Sequence, residues 1–316
     1  MVELNPPESV SRDSVVRAEA GIYCMGTIFN IVAYGTKREP LESAIADALR
    51  EAKRLDGMLS NYLSESELSR VNEFGTRGPV RVSRELFQFF SSCLAYSRAS
   101  EGTFDISVGP LVKAWGFYKG TGHVPQPAEI RQALCKVGHT NIILSEQNIT
   151  VHLAKEGMEL DPGGIGKGFA VDKMADILKR GGVYSALISA GGSTIYALGS
   201  PPNQPGWRVT IKDPRRPSIL AETVALKDEA ISTSGNCEKS FWENGKIWGH
   251  ILDPRTGYPA TGTLAVSVIS PHAVDSEAWA KPYYILGRFW TEKRKQSSFR
   301  VFYFEDTPFA TCVELC

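Results

Sequence analysis

Between residues 185 and 251 the chain carries five short apolar segments, at 185–191, 193–198, 207–212, 221–226 and 246–251, separated by turn residues and without helical periodicity. Parallel strands need a long crossover, usually a helix, between them. This stretch therefore argues against a regular βαβ series. Helical patterns precede and follow it, and that order predicts an α+β fold with mixed or antiparallel sheets and flanking helices.

Outside the strand-rich stretch the periodicities are clear. The run from Ile22 to Tyr34 suits a strand interrupted at Met25-Gly-Thr27. Pro40 opens a helix with Leu41, Ile45, Leu49, Ala52 and Leu55 on one face. Ser83 is placed to cap a second helix, reaching about Ser100, with a stripe of Leu86, Phe90, Leu94 and Ser97. A loop over 118–127, a helix near 128–137 and a hairpin over 141–153 follow, then a helix over 169–180 stopped by Gly181-Gly182. A strand at 263–269, a helix to about Leu286 and a strand at 299–304 complete the chain.

The 316 residues are enough to bury a sizeable core. Thirty-five basic residues balance 35 acidic ones, which argues against a nucleic-acid partner. Residues 1–20 are polar and read as a disordered tail with no apolar leader core. No run approaches the ~18 apolar residues of a membrane span. As written the chain reads as soluble: cytoplasmic, or the mature form of an exported periplasmic or membrane-associated protein. Cysteines 24, 93, 135, 237, 312 and 316 show no zinc-ligand spacing, while a bridge between Cys312 and Cys316 stays open.

Asp161-Pro-Gly-Gly-Ile-Gly-Lys-Gly168 leads straight into a helix. Glycines let backbone approach a ligand closely, and the amides of a helix start favour an anion, so a diphosphate is the expected guest. Two familiar motifs fail. Gly168 stands where a Walker loop needs Ser or Thr after its Lys, and Phe169 stands where G-x-G-x-x-G needs its third glycine.

Other segments hold polar groups in unusual company: Ser60-Asn-Tyr62 followed by Ser66–Asn72, Thr103–Gly116, Ile231-Ser-Thr-Ser-Gly235 and His250–Gly257. Each alone has a structural explanation as a turn, a cap or a satisfied strand residue. Together with Met25-Gly-Thr27 and the glycine-rich segment, in this order and spacing, they resemble the FAD:protein FMN transferase family (ApbE) over about residues 22–290.

The resemblance implies a single T-fold-like domain over 21–316, made of two closely associated lobes with an FAD cleft between them. The implied enzyme takes FAD and Mg²⁺, transfers FMN to a threonine hydroxyl of an acceptor flavoprotein and releases AMP. Met25 and Tyr62 are then expected to line the flavin pocket, with Thr103, Phe104 and Asp105 holding the adenosine or ribityl portion. Asp161 and Lys167 are expected to contact FAD, and Ser234, Gly235 and His250 to approach its diphosphate. The carbonyl of Gly164 is expected to face the metal. His250 or a carboxylate near residue 277 is the candidate general base. The family's metal-binding pattern Asp-x-x-x-Thr reads Glu277-Ala-Trp-Ala-Lys281 here, so Glu277 takes the Asp place and Lys281 the Thr place. A charged Lys is no metal ligand. It is suited to phosphate contact or to pairing with Glu277 four residues earlier.

Overall fold

A computed structural model describes residues 15–118, 120, 122–216, 220–235, 239–306 and 312–315. Strands β1 (Val16–Cys24) and β2 (Thr27–Gly35) form one hairpin rather than a single strand. Met25 and Gly26 make its two-residue turn, both at positive φ (48° and 74°), the geometry that matches the twist of paired strands. The expected tail is therefore shorter on its C-terminal side, because residues 16–20 pair with β2; residues 1–14 lie outside the described residues. An edge position explains why β1 looked like tail, since only one of its neighbours is another strand and much of it meets water.

Helix α1 (Arg38–Leu59) buries the predicted stripe. Next come α2 (Glu67–Phe74), β3 (Val80–Arg81) and α3 (Arg84–Ala99), whose N-cap Ser83 accepts from the Leu86 amide. Then α4 (Gly109–Ala114), α5 (Pro127–Leu134) and the hairpin β4 (Ile142–Ser145) with β5 (Thr150–Leu153) lead to α6 (Gly166–Arg180). Strands β6 (Ser185–Ala190), β7 (Thr194–Leu198), β8 (Trp207–Lys212), β9 (Leu220–Leu226), β10 (Glu229–Gly235), β11 (Ser240–Glu243), β12 (Lys246–Gly249) and β13 (Thr263–Ser270) follow. Helix α7 (Ala273–Arg294), β14 (Arg300–Glu305) and β15 (Cys312–Leu315) end the described chain.

The central sheet has the order β1-β2-β6-β7-β10-β13-β14-β15, and every pairing in it is antiparallel. The α+β expectation holds, in its antiparallel form. Alternation along the strands sends side chains to two faces. Phe29, Ile31 and Ala33 of β2 join the core under α1 and α6, while Val32 and Tyr34 pack against the β8–β9 hairpin on the opposite face. In β13, Val266 and Val268 meet Tyr283 and Tyr284 of α7, while Ala265 and Ile269 meet the hairpin side.

Helices α6 and α7 approach each other closely at Gly168. A Cβ there would sit 2.4 Å from the carbonyl oxygen of Ala273, far inside contact distance, so only glycine fits without moving backbone. We expect Gly168→Ala to cost about 1–3 kcal/mol by forcing the two helices apart. Chemical denaturation against the wild-type chain measures this, and an unchanged midpoint contradicts the close approach. Helix α7 kinks at Gly287 (φ 78°), where the backbone leaves helical geometry.

Candidate active site

The contact of α6 with α7 is held by two reciprocal caps. Asp172 of α6 accepts from the Ala273 and Val274 amides at 2.7 and 2.9 Å, satisfying donors at the start of α7. Glu277 of α7 accepts in return from the Gly168 amide in the first turn of α6. A carboxylate at each helix start is favoured by the helix dipole.

These caps change the reading of the glycine-rich segment. The Gly163 amide donates to Asp161 Oδ1, the Ile165 and Gly166 amides to the Pro162 carbonyl, and the Phe169 amide to Ile165. With Gly168 committed to Glu277, these amides are used inside the protein. The expected amide cradle for a diphosphate is thus not what the segment builds, because Asp161, the Pro162 carbonyl and Glu277 of α7 already take these donors. What the segment presents instead is the surface of Gly164 and the side chain of Lys167.

Glu277 is only 1% exposed, yet it is ionised. Burial by itself pushes a carboxyl pKa up, but the nearby Lys167 and Lys281 ammonium groups outweigh it and hold Glu277 below the usual range. Lys167 Nζ lies 2.6 Å from Glu277 Oε1, though not along a good hydrogen-bond direction, and Lys281 Nζ lies 3.9 Å from the same oxygen. Lys281 Nζ also donates to the Glu277 backbone carbonyl at 3.0 Å. Pro282 beside it lacks an N–H and crowds the turn before it, which loosens the local helical ladder. The Lys281 stem runs over Gly164: a Cβ on that glycine would meet Lys281 Cε at 3.5 Å and Phe104 Cε2 at 3.8 Å. Positions 104, 164, 167, 277 and 281 therefore meet.

Mg²⁺ favours one or two carboxylates together with carbonyl, water and phosphate oxygens. Of the expected set of Gly164, Glu277 and Lys281, a charged Lys281 is no metal ligand, and among the described residues the Glu277 carboxylate is flanked by two ammonium groups, 2.6 and 3.9 Å from one of its oxygens. Among the described residues no group of three or more His, Cys, Asp or Glu is arranged to hold a metal.

His250 follows β12, and its Nδ1 lies 2.9 Å from the Lys239 carbonyl. A carbonyl only accepts, so Nδ1 carries the proton and Nε2 keeps its lone pair. Burial pushes the His250 pKa down, and Lys281, Lys239 and Lys167 push it further, to about 4, against the bond to Lys239. The imidazole is neutral near pH 7 and faces the lysine group. Asp161 lies near Lys239; its carboxyl is raised by burial, with the Gly163 amide and Lys239 acting the other way.

Tyr62 stacks on Tyr118 with ring centroids 4.9 Å apart and donates its hydroxyl to the Tyr118 carbonyl. Ser60 builds the turn beneath it: its Oγ accepts from the Tyr62 and Leu63 amides, and its carbonyl accepts from Ser66 and Ser69. Asn72 accepts from the Leu160 amide and donates to the Leu160 carbonyl, which fixes the approach to Asp161. A cavity of about 260 Å³ lies here, walled by Asn61, Asn72, Lys113, Tyr118, Glu159 and Asp161.

Other expected site residues do structural work. Thr103 donates its hydroxyl to the Ser100 carbonyl. Asp105 accepts from the Ser107 amide and hydroxyl and, at 2.7 Å, from the His139 amide. Both are buried, and their hydrogen bonds fix the turn that carries Phe104. Met25 sits in the β1–β2 turn, packed against the main core. Ser234 is buried on the same face of β10 as Ser232, whose hydroxyl lies 2.8 Å from that of Ser276 on α7. Gly235 ends that strand. Lys239, Tyr118 and Asp172 were not flagged by sequence; no local pattern distinguishes them.

The shifted groups give a stability prediction. Between pH 4 and 6.5 His250 binds fewer protons folded than unfolded, so its contribution to stability grows as pH rises through that window. Asp172, raised by burial to about 6, has the opposite sign: its contribution falls as pH rises from 3.8 to 6. Comparing His250→Gln with wild type isolates the histidine. The variant is expected to lose relatively less stability than wild type as pH falls from 6.5 to 4, and parallel curves exclude the depressed pKa.

A model of the ApbE family matches residues 25–297. A curated relative from Klebsiella pneumoniae (strain 342), named FAD:protein FMN transferase, is 37% identical over 240 residues, spanning 74% of this chain and 73% of its own. One of the same name from Treponema pallidum (strain Nichols) is 31% identical over 83% of this chain and 77% of its own. The crystal structure of the ApbE protein from Thermotoga maritima superposes with a TM-score of 0.85 at 28% identity, covering 92% of this chain and 95% of that one.

Proposed function

The chain belongs to the ApbE family, and from that premise we propose that it transfers the FMN moiety of FAD to a hydroxyl group of a client flavoprotein, a threonine by the family resemblance, with release of AMP. The observation that supports this chemistry best is the neutral His250 beside Lys167, Lys239 and Lys281. The lysines attract a diphosphate. The imidazole keeps an acceptor nitrogen at neutral pH.

In the reaction the client oxygen attacks the phosphorus of the FMN half. A new P–O bond forms, the bond from that phosphorus to the bridging oxygen breaks, and AMP leaves with the bridging oxygen and its electron pair. The hydroxyl proton passes to His250 Nε2 and returns to bulk solvent or to the departing phosphate. A diphosphate lying between the lysines and the imidazole offsets their repulsion of a proton, so the histidine becomes more basic when FAD is bound. Glu277 is a poor base for this purpose, being buried, paired and held ionised. Lys167 and Lys281 stabilise the charge that develops on the phosphate oxygens. Tyr62, Tyr118 and Phe104 supply flat faces for the rings of FAD, Asp161 adds a polar contact at the cavity, and Met25, Ser234 and Gly235 border the site. In the two-lobed description, this contact of the α6–α7 start with the His250 loop forms the floor of the FAD cleft.

The test is to follow AMP from FAD with and without a candidate acceptor. AMP that appears only with acceptor supports transfer. Equal AMP without acceptor makes the protein an FAD pyrophosphatase.

A further inference from the structure

Flavin transfer needs a second protein at the site. Its hydroxyl has to come within hydrogen-bond reach of His250 Nε2, so part of its surface lies against the segment that carries His250. That segment is the end of the β11–β12 hairpin, whose turn, Asn244-Gly245, has both residues at positive φ (52° and 75°). The register pairs Ser240 with Gly249, Phe241 with Trp248, Trp242 with Ile247 and Glu243 with Lys246. Successive pairs point to opposite faces. Phe241 and Trp248 turn inward, with ring centroids 5.7 Å from Phe117 and 5.2 Å from Trp115. Trp242 and Ile247 form the outward pair, and they are 71% and 62% exposed. Resting on the transferase reading above, we propose that the Trp242–Ile247 pair is the docking surface for the client flavoprotein, gripping an apolar side chain of the segment that presents the acceptor hydroxyl.

Three features carry the inference. The first is continuity with the site. Ile247 precedes His250 by three residues, about 10 Å along an extended strand, which is well inside the footprint of a protein partner. Phe117 touches both the hairpin and the site, through Phe241 and through the His250 ring at 6.4 Å. The second is that the outward pair is not what fastens the hairpin. The inner pair does this, together with the Val124 amide on Glu243 Oε2 at 3.2 Å and the His250 amide on the Lys239 carbonyl at 3.2 Å. A large aromatic ring left in water beside an aliphatic chain is the composition of a binding anchor. The third is charge. Lys239 and Lys246 are exposed at the two ends of the hairpin, while Glu243 is half-buried and bonded to the Val124 amide. The surround is therefore cationic and complements a client segment that carries a carboxylate near its apolar side chain.

The probe is a flavoprotein domain whose FMN is carried on a threonine phosphoester, prepared without its flavin. Its affinity for the full chain is measured without turnover by calorimetry, FAD affinity by flavin fluorescence, and transfer by covalent flavin as the client concentration is varied. Trp242→Ala and Ile247→Ala are each expected to weaken client affinity and raise the client KM about tenfold, with FAD affinity and kcat within about twofold of wild type. Trp242→Phe, which keeps a ring, is expected to retain most of the affinity. Client affinity that is unchanged in both alanine variants, or absent in wild type, overturns the proposal. So does a fall of FAD affinity in step with client affinity, which makes the pair a structural support. The failures separate: a client bound through this pair but never flavinylated by wild type sinks the transferase reading alone, whereas a client flavinylated equally well by wild type and both alanine variants sinks only this one.

Discussion

Glu277→Ala is expected to lower the unfolding free energy by about 3–5 kcal/mol, the usual cost of breaking a buried ion pair from one side. Three groups lose a contact at once. The Gly168 amide is left without its acceptor, and Lys167 and Lys281 repel each other in a site that solvent reaches poorly. Glu277→Gln keeps an oxygen for Gly168 but removes the charge, so it is expected to fall between wild type and alanine. Chemical denaturation of the three proteins at neutral pH measures the order. A loss below about 1 kcal/mol for alanine contradicts the account, because that is the range of exposed pairs.

His250→Gln is expected to reduce the rate of flavin transfer by about 10²–10⁴-fold, the range of a lost general base. FAD affinity should stay near wild type, since the lysines that attract the diphosphate remain. A split of this kind, with kcat falling and binding preserved, marks a group that acts on the proton rather than on the cofactor. Full activity in the glutamine variant moves the base to another residue. Weakened FAD binding with unchanged kcat makes His250 a binding residue instead.

The sequence showed the helices well, because burial on one face leaves a period that survives in the residue pattern. Leu41 to Leu55 and the Ser83 cap are examples, and all lie where expected. Strand β10 was read only as a polar segment, since Glu229–Gly235 is rich in Ser and Thr. Its hydroxyls are satisfied in pairs reached across long sequence separations, Ser232 with Ser276 and Thr233 with Ser267, so polarity there does not mean exposure. Strand β1 was half hidden for the opposite reason, being an edge strand that stays wet.

The candidate site followed the same division. Phe104, Gly164, Lys167, Glu277 and Lys281 were each named as site positions by the resemblance, and the structure brings them together. The use of the glycine-segment amides was not, because Glu277 lies 109 residues after Gly168. An anion cradle read from local sequence was already filled by a carboxylate from α7. In the proposed reaction the diphosphate is therefore placed against lysine side chains rather than those amides.

The most direct measurement is the intact mass of a client flavoprotein after incubation with FAD and this chain. The account predicts a client heavier by one covalently attached FMN on a hydroxyl side chain, with one AMP formed per client modified. A client of unchanged mass, with AMP and free FMN accumulating together, contradicts it.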